Sequence, residues 1–171
     1  MPVSREELDA VSRYLDDGSK TLDGDQPDWK REGRGDFQAV WLIREQDGRI
    51  RSQLRFRLHP DMRDFPSVSL IFRDKNVSRF DKVRQSNCEP NPLSARALDL
   101  PALVCGPHVH RWSDNIKHVE LSGIWDLPVR RPVIDTITTL EQMFLWFCNE
   151  ISLTLSKEHR RFVDPPKDLL S

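Results

Sequence analysis

Two histidines separated by one residue are the side chains best suited to chemistry in this chain. They lie in the run Pro107-His108-Val109-His110-Arg111-Trp112. In an extended strand the side chains alternate, so His108, His110 and Trp112 would share one face. Two imidazoles on one face can act as a general acid and base around a phosphate, or can ligate one metal ion. A hydrogen-bonded pair with a purely structural role is the third interpretation.

A zinc site requires a third and usually a fourth ligand, and the sequence does not single one out. The candidates are His59, His118, Asp114 and Glu120, none of which has a diagnostic spacing from the histidine pair. The motifs G-x-G-x-x-G, G-x-x-x-x-G-K-[ST], G-x-S-x-G and H-E-x-x-H are all missing from the sequence. We therefore predict neither a cofactor nor a complete metal site.

A second feature is an arginine-rich run from Arg49 to His59. Alternation in a strand places Ile50, Ser52, Leu54, Phe56 and Leu58 on one face, and the other face carries Arg49, Arg51, Gln53, Arg55, Arg57 and His59. Arginines about 7 Å apart match the spacing of phosphates along a single nucleic-acid strand, and guanidinium groups bind phosphate bidentately. Pairing with neighbouring acids is the alternative. The residues predicted to contact phosphate or nucleic acid are Arg51, Arg55, Arg57, His59, Arg111 and Trp112, with Trp112 free to stack on a base.

Local patterns predict the elements that position these residues. Ser4 and Glu7 form a capping box for a first helix over 4–17, which a solvated loop over 18–35 follows. The Asp47-Gly48 step predicts a hairpin, because glycine accepts the positive φ of the turn. The hairpin strands cover 37–44 and 49–59, and a third strand covers 67–73.

The second half of the chain is less regular. Prolines and asparagines interrupt any period over 74–103, where only 93–100 favours a short helix. A second hairpin is expected over 103–121. Apolar residues at helical spacing predict a helix of about twenty residues over 137–155, with Thr138 and Glu141 as its capping box. Residues 160–171 are expected to form a surface arm.

These elements indicate a single α+β domain over residues 1–171. We predict an antiparallel sheet of about four to five strands with two hairpins, packed by an N-terminal helix and a long C-terminal helix. The length of 171 residues is enough for one domain with a hydrophobic core. No apolar stretch approaches the length of a membrane span, and no secretory signal is visible, so we expect a cytoplasmic protein that does not enter a membrane.

Charge and cysteine content narrow the function classes. The net charge is -1, but residues 37–84 carry eleven Lys/Arg against six Asp/Glu, whereas 1–36 carry six against ten. A polyanion would therefore bind the middle of the chain.

The cysteines, Cys88, Cys105 and Cys148, are odd in number and lack a C-x-x-C spacing, so we expect reduced and mostly buried thiols.

Three motifs in order resemble a family of small, uncharacterised bacterial and phage-borne proteins. The first is the run from Gly106 to Trp112, which matches a Pro-His-x-His-x-aromatic motif. The others are Trp125-Asp126-Leu127-Pro128 and the later Phe144-Leu-Trp-Phe-Cys148-Asn149. The resemblance spans most of residues 4–155, but the turn upstream of the histidines keeps only Asn91-Pro92. It implies a mobile-element or host-conflict setting and supplies no reaction.

Three functions are consistent with these features. The leading hypothesis is an interaction protein of such a system that binds a protein or a protein–nucleic-acid complex, for example an inhibitor of a host defence nuclease. The first alternative is a small metal-independent ribonuclease or phosphoesterase toxin, in which His108 and His110 transfer protons while Arg55 and Arg57 hold the phosphate. The second alternative is a non-catalytic module that binds RNA or single-stranded DNA.

Overall fold

The computed structural model describes residues 2–33, 35–162 and 164–167. Within these ranges the chain forms three α-helices and ten β-strands, which confirms the α+β prediction. The helices are α1 (Arg5–Asp16), α2 (Trp112–Ser122) and α3 (Leu140–Glu150). The strands are β1 (Thr21–Leu22), β2 (Lys30–Glu32), β3 (Asp36–Arg44), β4 (Ser52–Leu58), β5 (Ser67–Phe72), β6 (Lys75–Asp81), β7 (Cys88–Pro90), β8 (Leu103–Cys105), β9 (His108–His110) and β10 (Arg131–Pro132).

One large antiparallel sheet dominates the structure and has more strands than expected. Seven strands follow the order β1-β3-β4-β5-β6-β9-β10, and β2 pairs with β3 as an eighth. Strands β7 and β8 form a separate two-stranded sheet. The central strands β3 to β6 are consecutive in the chain, so each pairs with its sequence neighbour, as short connections favour.

The two faces of the sheet differ in character. On the core face, Trp41 of β3 and Phe56 of β4 pack against Phe144 of α3, with ring centroids 5.8 and 5.9 Å apart. Tyr14 of α1 stacks on Phe72 of β5 at 4.3 Å. Helices α1 and α3 therefore cover this face. The opposite face, called the outer face below, carries the polar residues of β4, β5, β6 and β9.

Several local predictions are confirmed. Ser4 and Glu7 form the capping box of α1, whose buried residues follow at helical spacing. Gly48 adopts a φ of 85° in the turn between β3 and β4. Along β4, Leu54 and Phe56 are fully buried on the core face, whereas the arginines between and after them lie on the other. The period-two interpretation therefore holds over 52–58, whereas residues 49–51 precede the strand and Ile50 is 40% exposed.

Strand β6 lies in the segment 74–103, for which the sequence predicted irregular structure and no strand. Its turn from β5 is made by Arg73 and Asp74, which adopt φ angles of 47° and 63°. A tight hairpin turn with two positive φ angles normally contains glycine or asparagine, so this turn has no sequence signal. Val77 and Phe80 of β6 are fully buried in the core.

The prediction of a second hairpin over 103–121 is wrong, because residues from Trp112 onward form α2 instead of a strand. Trp112, Asn115 and Val119 recur at helical spacing and are buried. Helix α3 is also shorter than predicted. It is capped by Thr139 and Gln142, and Ser152, with a φ of 58°, turns the chain away after Glu150.

The segments expected to lie on the surface contribute to the core. Residues 18–35 include β1 and β2, and Lys20, Leu22 and Trp29 are buried, so the prediction of a solvated loop is wrong. The Lys20 ammonium donates to the carbonyls of Tyr14, Leu15 and Asp17 and thereby caps the end of α1. Burial lowers the pKa of Lys20 to about 8.

The predicted C-terminal arm is not a free arm over its described residues. Phe162 is buried and its ring packs 4.1 Å from that of Phe56 and 5.2 Å from that of Phe144, measured between centroids. The tail therefore closes the core beside α3. Val163 and residues 168–171 lie outside the described residues.

The cysteine prediction is partly wrong. Cys88 and Cys105 form a disulfide, because the antiparallel pairing of β7 with β8 places them directly opposite each other. Their separation of 17 residues in sequence carries no spacing signal. Cys148 is a free, buried thiol, as expected, and burial raises its pKa.

Candidate phosphate-binding face and histidine cluster

The register of the sheet brings the two predicted groups of residues onto one surface. Arg55 pairs with Ser69, Ser69 with Arg79, and Arg79 with His110 across β4, β5, β6 and β9. Directly opposed residues in a sheet point to the same side. The outer face is therefore defined by Arg55, Arg57, Ser67, Ser69, Arg79, Asp81, His108 and His110.

A groove of about 470 Å³ runs over the outer face. Arg55 and Arg57 of β4 line one side, Ser67 and Ser69 of β5 form the middle, and Arg79 and Asp81 of β6 line the other side. Ile71, Asp74 and Asn76 complete the lining. Arginines and hydroxyls together offer several donors to an anion. The groove is therefore suited to bind phosphate or carboxylate oxygens.

Arg55 and Arg57 have no ion-pair partner among the described residues. The Arg55 Nε is buried and has no hydrogen-bond acceptor, and the Asn76 Oδ1 in the same groove is buried without a donor. Buried polar atoms are nearly always hydrogen-bonded in folded proteins. Unmet donors and acceptors in one groove favour a bound polar ligand.

The other members of the predicted arginine stripe are neutralised. Arg51 forms a bidentate ion pair with Glu45, and Arg49 pairs with Asp47. His59 follows β4, where its Nδ1 accepts from the Asp61 backbone N–H at 3.1 Å. Pairing with nearby acids, the alternative interpretation, therefore applies to Arg49 and Arg51, whereas Arg55 and Arg57 have no such partner among the described residues.

Arg111 and Trp112 do not contribute to the outer face as predicted. Arg111 forms a bidentate ion pair with Glu150 of α3. Trp112 is buried, stacks on Trp125 with centroids 5.6 Å apart, and donates its Nε1–H to Ser12. The prediction that Trp112 is free to stack on a base is wrong, since helix α2 begins at this residue and turns its ring into the core.

His108 and His110 do lie together, and both are almost completely buried, with 3% and 1% of their surface exposed. The Nδ1 of His108 is 2.9 Å from the Gly106 carbonyl oxygen, and the Nδ1 of His110 is 2.5 Å from the Leu127 carbonyl oxygen. Each Nε2 points to Asp81. The distances to its Oδ2 are 3.6 Å for His108 and 3.2 Å for His110.

Arg79 completes this cluster. Its Nε donates to the Asp81 Oδ2 at 2.8 Å, and its Nη2 is 3.0 Å from the His110 Nε2. Burial opposes the charge on Asp81, but the polar surroundings, in which Arg79 is the neighbouring cation, outweigh burial and hold its pKa well below the usual range. Burial lowers the pKa of His110, which favours the neutral ring.

Asp81 is the member of this cluster that the sequence did not reveal. It neighbours His108 through the β6–β9 pairing, and no spacing in the sequence indicates that contact. The ligands considered earlier are engaged elsewhere: His118 pairs with Asp126, Asp114 with Arg131, and Glu120 with Arg5. The available signal was the alternation of Ser78 and Phe80 with Arg79 and Asp81, which is typical of a strand.

The arrangement does not favour acid–base catalysis by the histidine pair. A general acid or base must reach the substrate within hydrogen-bond distance. The two rings are buried, and each Nε2 faces Asp81. Strands β4 and β9 are also three strand spacings apart, or about 14 Å, so Arg55 and Arg57 do not hold a phosphate beside the histidines.

Among the described residues, no helix has the length and apolar character needed to cross a lipid bilayer. The chain was also compared with family models, with curated proteins and with solved structures, and none of the three comparisons gave a match.

Proposed function

We propose that this protein is a non-catalytic binding protein whose outer face holds the phosphate backbone of a single-stranded nucleic acid. The strand is either free or presented by a protein–nucleic-acid complex. A complex of this kind is what the mobile-element or host-conflict setting implied by the sequence resemblance would supply.

The observation that carries this proposal is the pair of unpaired arginines, Arg55 and Arg57, along one side of the groove. They are two residues apart on β4, so their Cα atoms are about 7 Å apart, close to the phosphate repeat of an extended strand. Ser67 and Ser69 lie directly opposite them on β5 and add hydroxyl donors. A strand following β4 would place successive phosphates over successive arginines.

The residues that line the groove predict the base preference and the salt dependence of binding. Among the described residues of the groove there is no aromatic side chain on which a base could stack. Contacts restricted to phosphates carry little sequence information and are strongly weakened by salt. We therefore expect binding with little base preference to RNA and single-stranded DNA.

Binding of labelled single-stranded oligonucleotides, measured by fluorescence anisotropy, tests the proposal. The test variant is Arg55→Gln/Arg57→Gln. Hydrogen bonds to charged groups contribute roughly 1.5–3 kcal/mol each, so the double variant should bind at least tenfold more weakly. The control is Arg5→Gln/Arg13→Gln, which removes the same charge from α1, on the far side of the sheet.

Weakening in the test variant together with wild-type affinity in the control supports the proposal. Equal weakening in both variants would show that net charge alone governs binding. Absence of binding by the wild-type protein at low salt would overturn the proposal and favour a protein partner.

A further inference from the structure

We propose that Asp81, His108 and His110 form a binding site for a single transition-metal ion, of which Zn²⁺ is the probe. This site adjoins the groove, whose lining includes Arg79 and Asp81, but it does not depend on phosphate binding there. Its ligands would be the Nε2 atoms of both histidines and a carboxylate oxygen of Asp81.

The backbone fixes the orientation of both rings. The carbonyl oxygens of Gly106 and Leu127 can only accept hydrogen bonds, so the Nδ1 atoms of His108 and His110 carry protons. In metalloproteins a ligating histidine usually donates its second N–H to a carbonyl or carboxylate, which fixes the ring and its tautomer. Both rings have this arrangement without any rotation.

On the side of each ring opposite its Nδ1, the Nε2 atom faces the Asp81 Oδ2. These atoms are all acceptors, and their lone pairs repel one another. The guanidinium of Arg79 can only donate, so its contact with the His110 Nε2 requires that this nitrogen be unprotonated. The His108 Nε2 faces the Asp81 Oδ2 at 3.6 Å, beyond hydrogen-bond distance. Three lone pairs therefore converge, and a cation placed among them would stabilise all three.

The spacing of the donor atoms fits a tetrahedral ion. With bonds of about 2.0–2.1 Å, two ligands of tetrahedral Zn²⁺ are about 3.3 Å apart. The two Nε2–Oδ2 distances, 3.6 and 3.2 Å, lie on either side of this value. All three candidate ligand atoms lie within 4.8 Å of one another. Movement of the two Nε2 atoms toward each other would complete the three-ligand arrangement.

The Arg79 guanidinium would compete with a metal ion for the position between Asp81 and His110. Its guanidinium contacts the same Asp81 oxygen and the same His110 nitrogen that a metal would bind. The Arg79 side chain is 39% exposed and lines the groove, so it can leave the cluster without moving the core. The side from which Arg79 leaves would provide the entry path and a fourth position for water.

The chemistry of the ligands selects the metal. Imidazole nitrogens suit zinc and other late transition metals, whereas Mg²⁺ and Ca²⁺ prefer oxygen ligands. Two histidines and one carboxylate with an open position are typical of zinc sites that bind water. Mg²⁺ should therefore not compete with Zn²⁺ here.

Isothermal titration of the chelator-treated protein with Zn²⁺ tests the site. We expect one ion per chain, undiminished by excess Mg²⁺. Changes outside the direct ligands already cost roughly 10- to 100-fold in metal affinity, so His110→Gln or Asp81→Asn should weaken binding by at least about 100-fold. The control, His59→Gln/His118→Gln, removes two histidines outside the cluster and should leave the affinity unchanged.

Arg79→Ala provides the test that does not depend on replacing a buried ligand. Because Arg79 competes for two of the three ligands, its removal should tighten Zn²⁺ binding by about tenfold. Absence of wild-type binding, loss of binding in the control variant, or weaker binding in Arg79→Ala would each overturn the assignment.

Discussion

We predict that Asn115 of α2 stabilises the position of the segment 127–129, which lies beside the histidine cluster. Its Nδ2 donates to the Arg111 carbonyl at 2.7 Å and to the Val129 carbonyl at 3.1 Å, and its Oδ1 accepts from the Val129 N–H at 2.7 Å. The side chain is fully buried. The segment that it holds includes Leu127, whose carbonyl orients His110.

Substitution of Asn115 by alanine should therefore be strongly destabilising. It removes three hydrogen bonds and leaves the N–H and C=O of Val129 buried without partners. An unsatisfied buried group costs about 1–3 kcal/mol, so we expect a loss of about 3–5 kcal/mol in the free energy of unfolding. Asn115→Asp should be at least as harmful, because a carboxylate would face the carbonyls that now accept from the amide.

Urea unfolding measures this loss. With an m-value of about 2 kcal/mol/M, the midpoint should fall by roughly 2 M at unchanged m. Asn87→Ala is the control, since the Asn87 side chain is exposed, and it should change stability by less than about 0.5 kcal/mol. A loss below about 1 kcal/mol in Asn115→Ala would refute the reasoning.

Three further predictions concern the remaining corrections to the sequence interpretation. Phe162→Ala should lower the free energy of unfolding by about 3–5 kcal/mol because its ring closes the core, and a change near zero by calorimetry would indicate a free arm. Since the pKa of Lys20 is lowered from 10.5 to about 8, the unfolded chain binds this proton more tightly between these pH values. Wild-type stability should therefore rise with pH from 8 to 10 relative to Lys20→Met, by up to about 1.4 kcal/mol per pH unit, and a difference independent of pH would contradict this account. Cys88→Ser/Cys105→Ser should cost about 3 kcal/mol, the loop-closure value for a loop of this length, and reductant should lower wild-type stability equally but leave the variant unchanged.

Local signals predicted the parts of the fold that depend on neighbouring residues. The capping box of α1 and the Asp47-Gly48 turn each act within a few residues, and the alternation along β4 requires only that one face be buried. These features are visible in sequence because the physical cause is local.

The remaining features depend on contacts between distant residues. The β6 hairpin uses Arg73 and Asp74 in conformations that their residue types rarely adopt, so tertiary packing determines that turn. Helix α2 replaces the predicted strand because Asn115 and Val119 find buried partners only in the folded protein. For the same reason, sequence supplied both histidines of the cluster but not Asp81.

In the candidate groove too, local sequence patterns predicted one part and tertiary contacts determine the other. Periodicity placed Arg51, Arg55 and Arg57 on one face, but it could not tell which arginines have acidic partners. Glu45 neutralises Arg51 across the turn, whereas no acid among the described residues reaches Arg55 or Arg57. Only the three-dimensional contacts separate the free arginines from the paired ones.

The contact of Arg55 and Arg57 with phosphates is tested most directly by the salt dependence of binding. For single strands, the plot of log affinity against log salt concentration falls by about 0.7 for each phosphate neutralised. The slope of Arg55→Gln/Arg57→Gln should therefore be shallower than that of the wild-type protein by about 1.4, and Arg5→Gln/Arg13→Gln should keep the wild-type slope. Identical slopes for all three proteins would contradict the assignment of the outer face as the phosphate-binding surface.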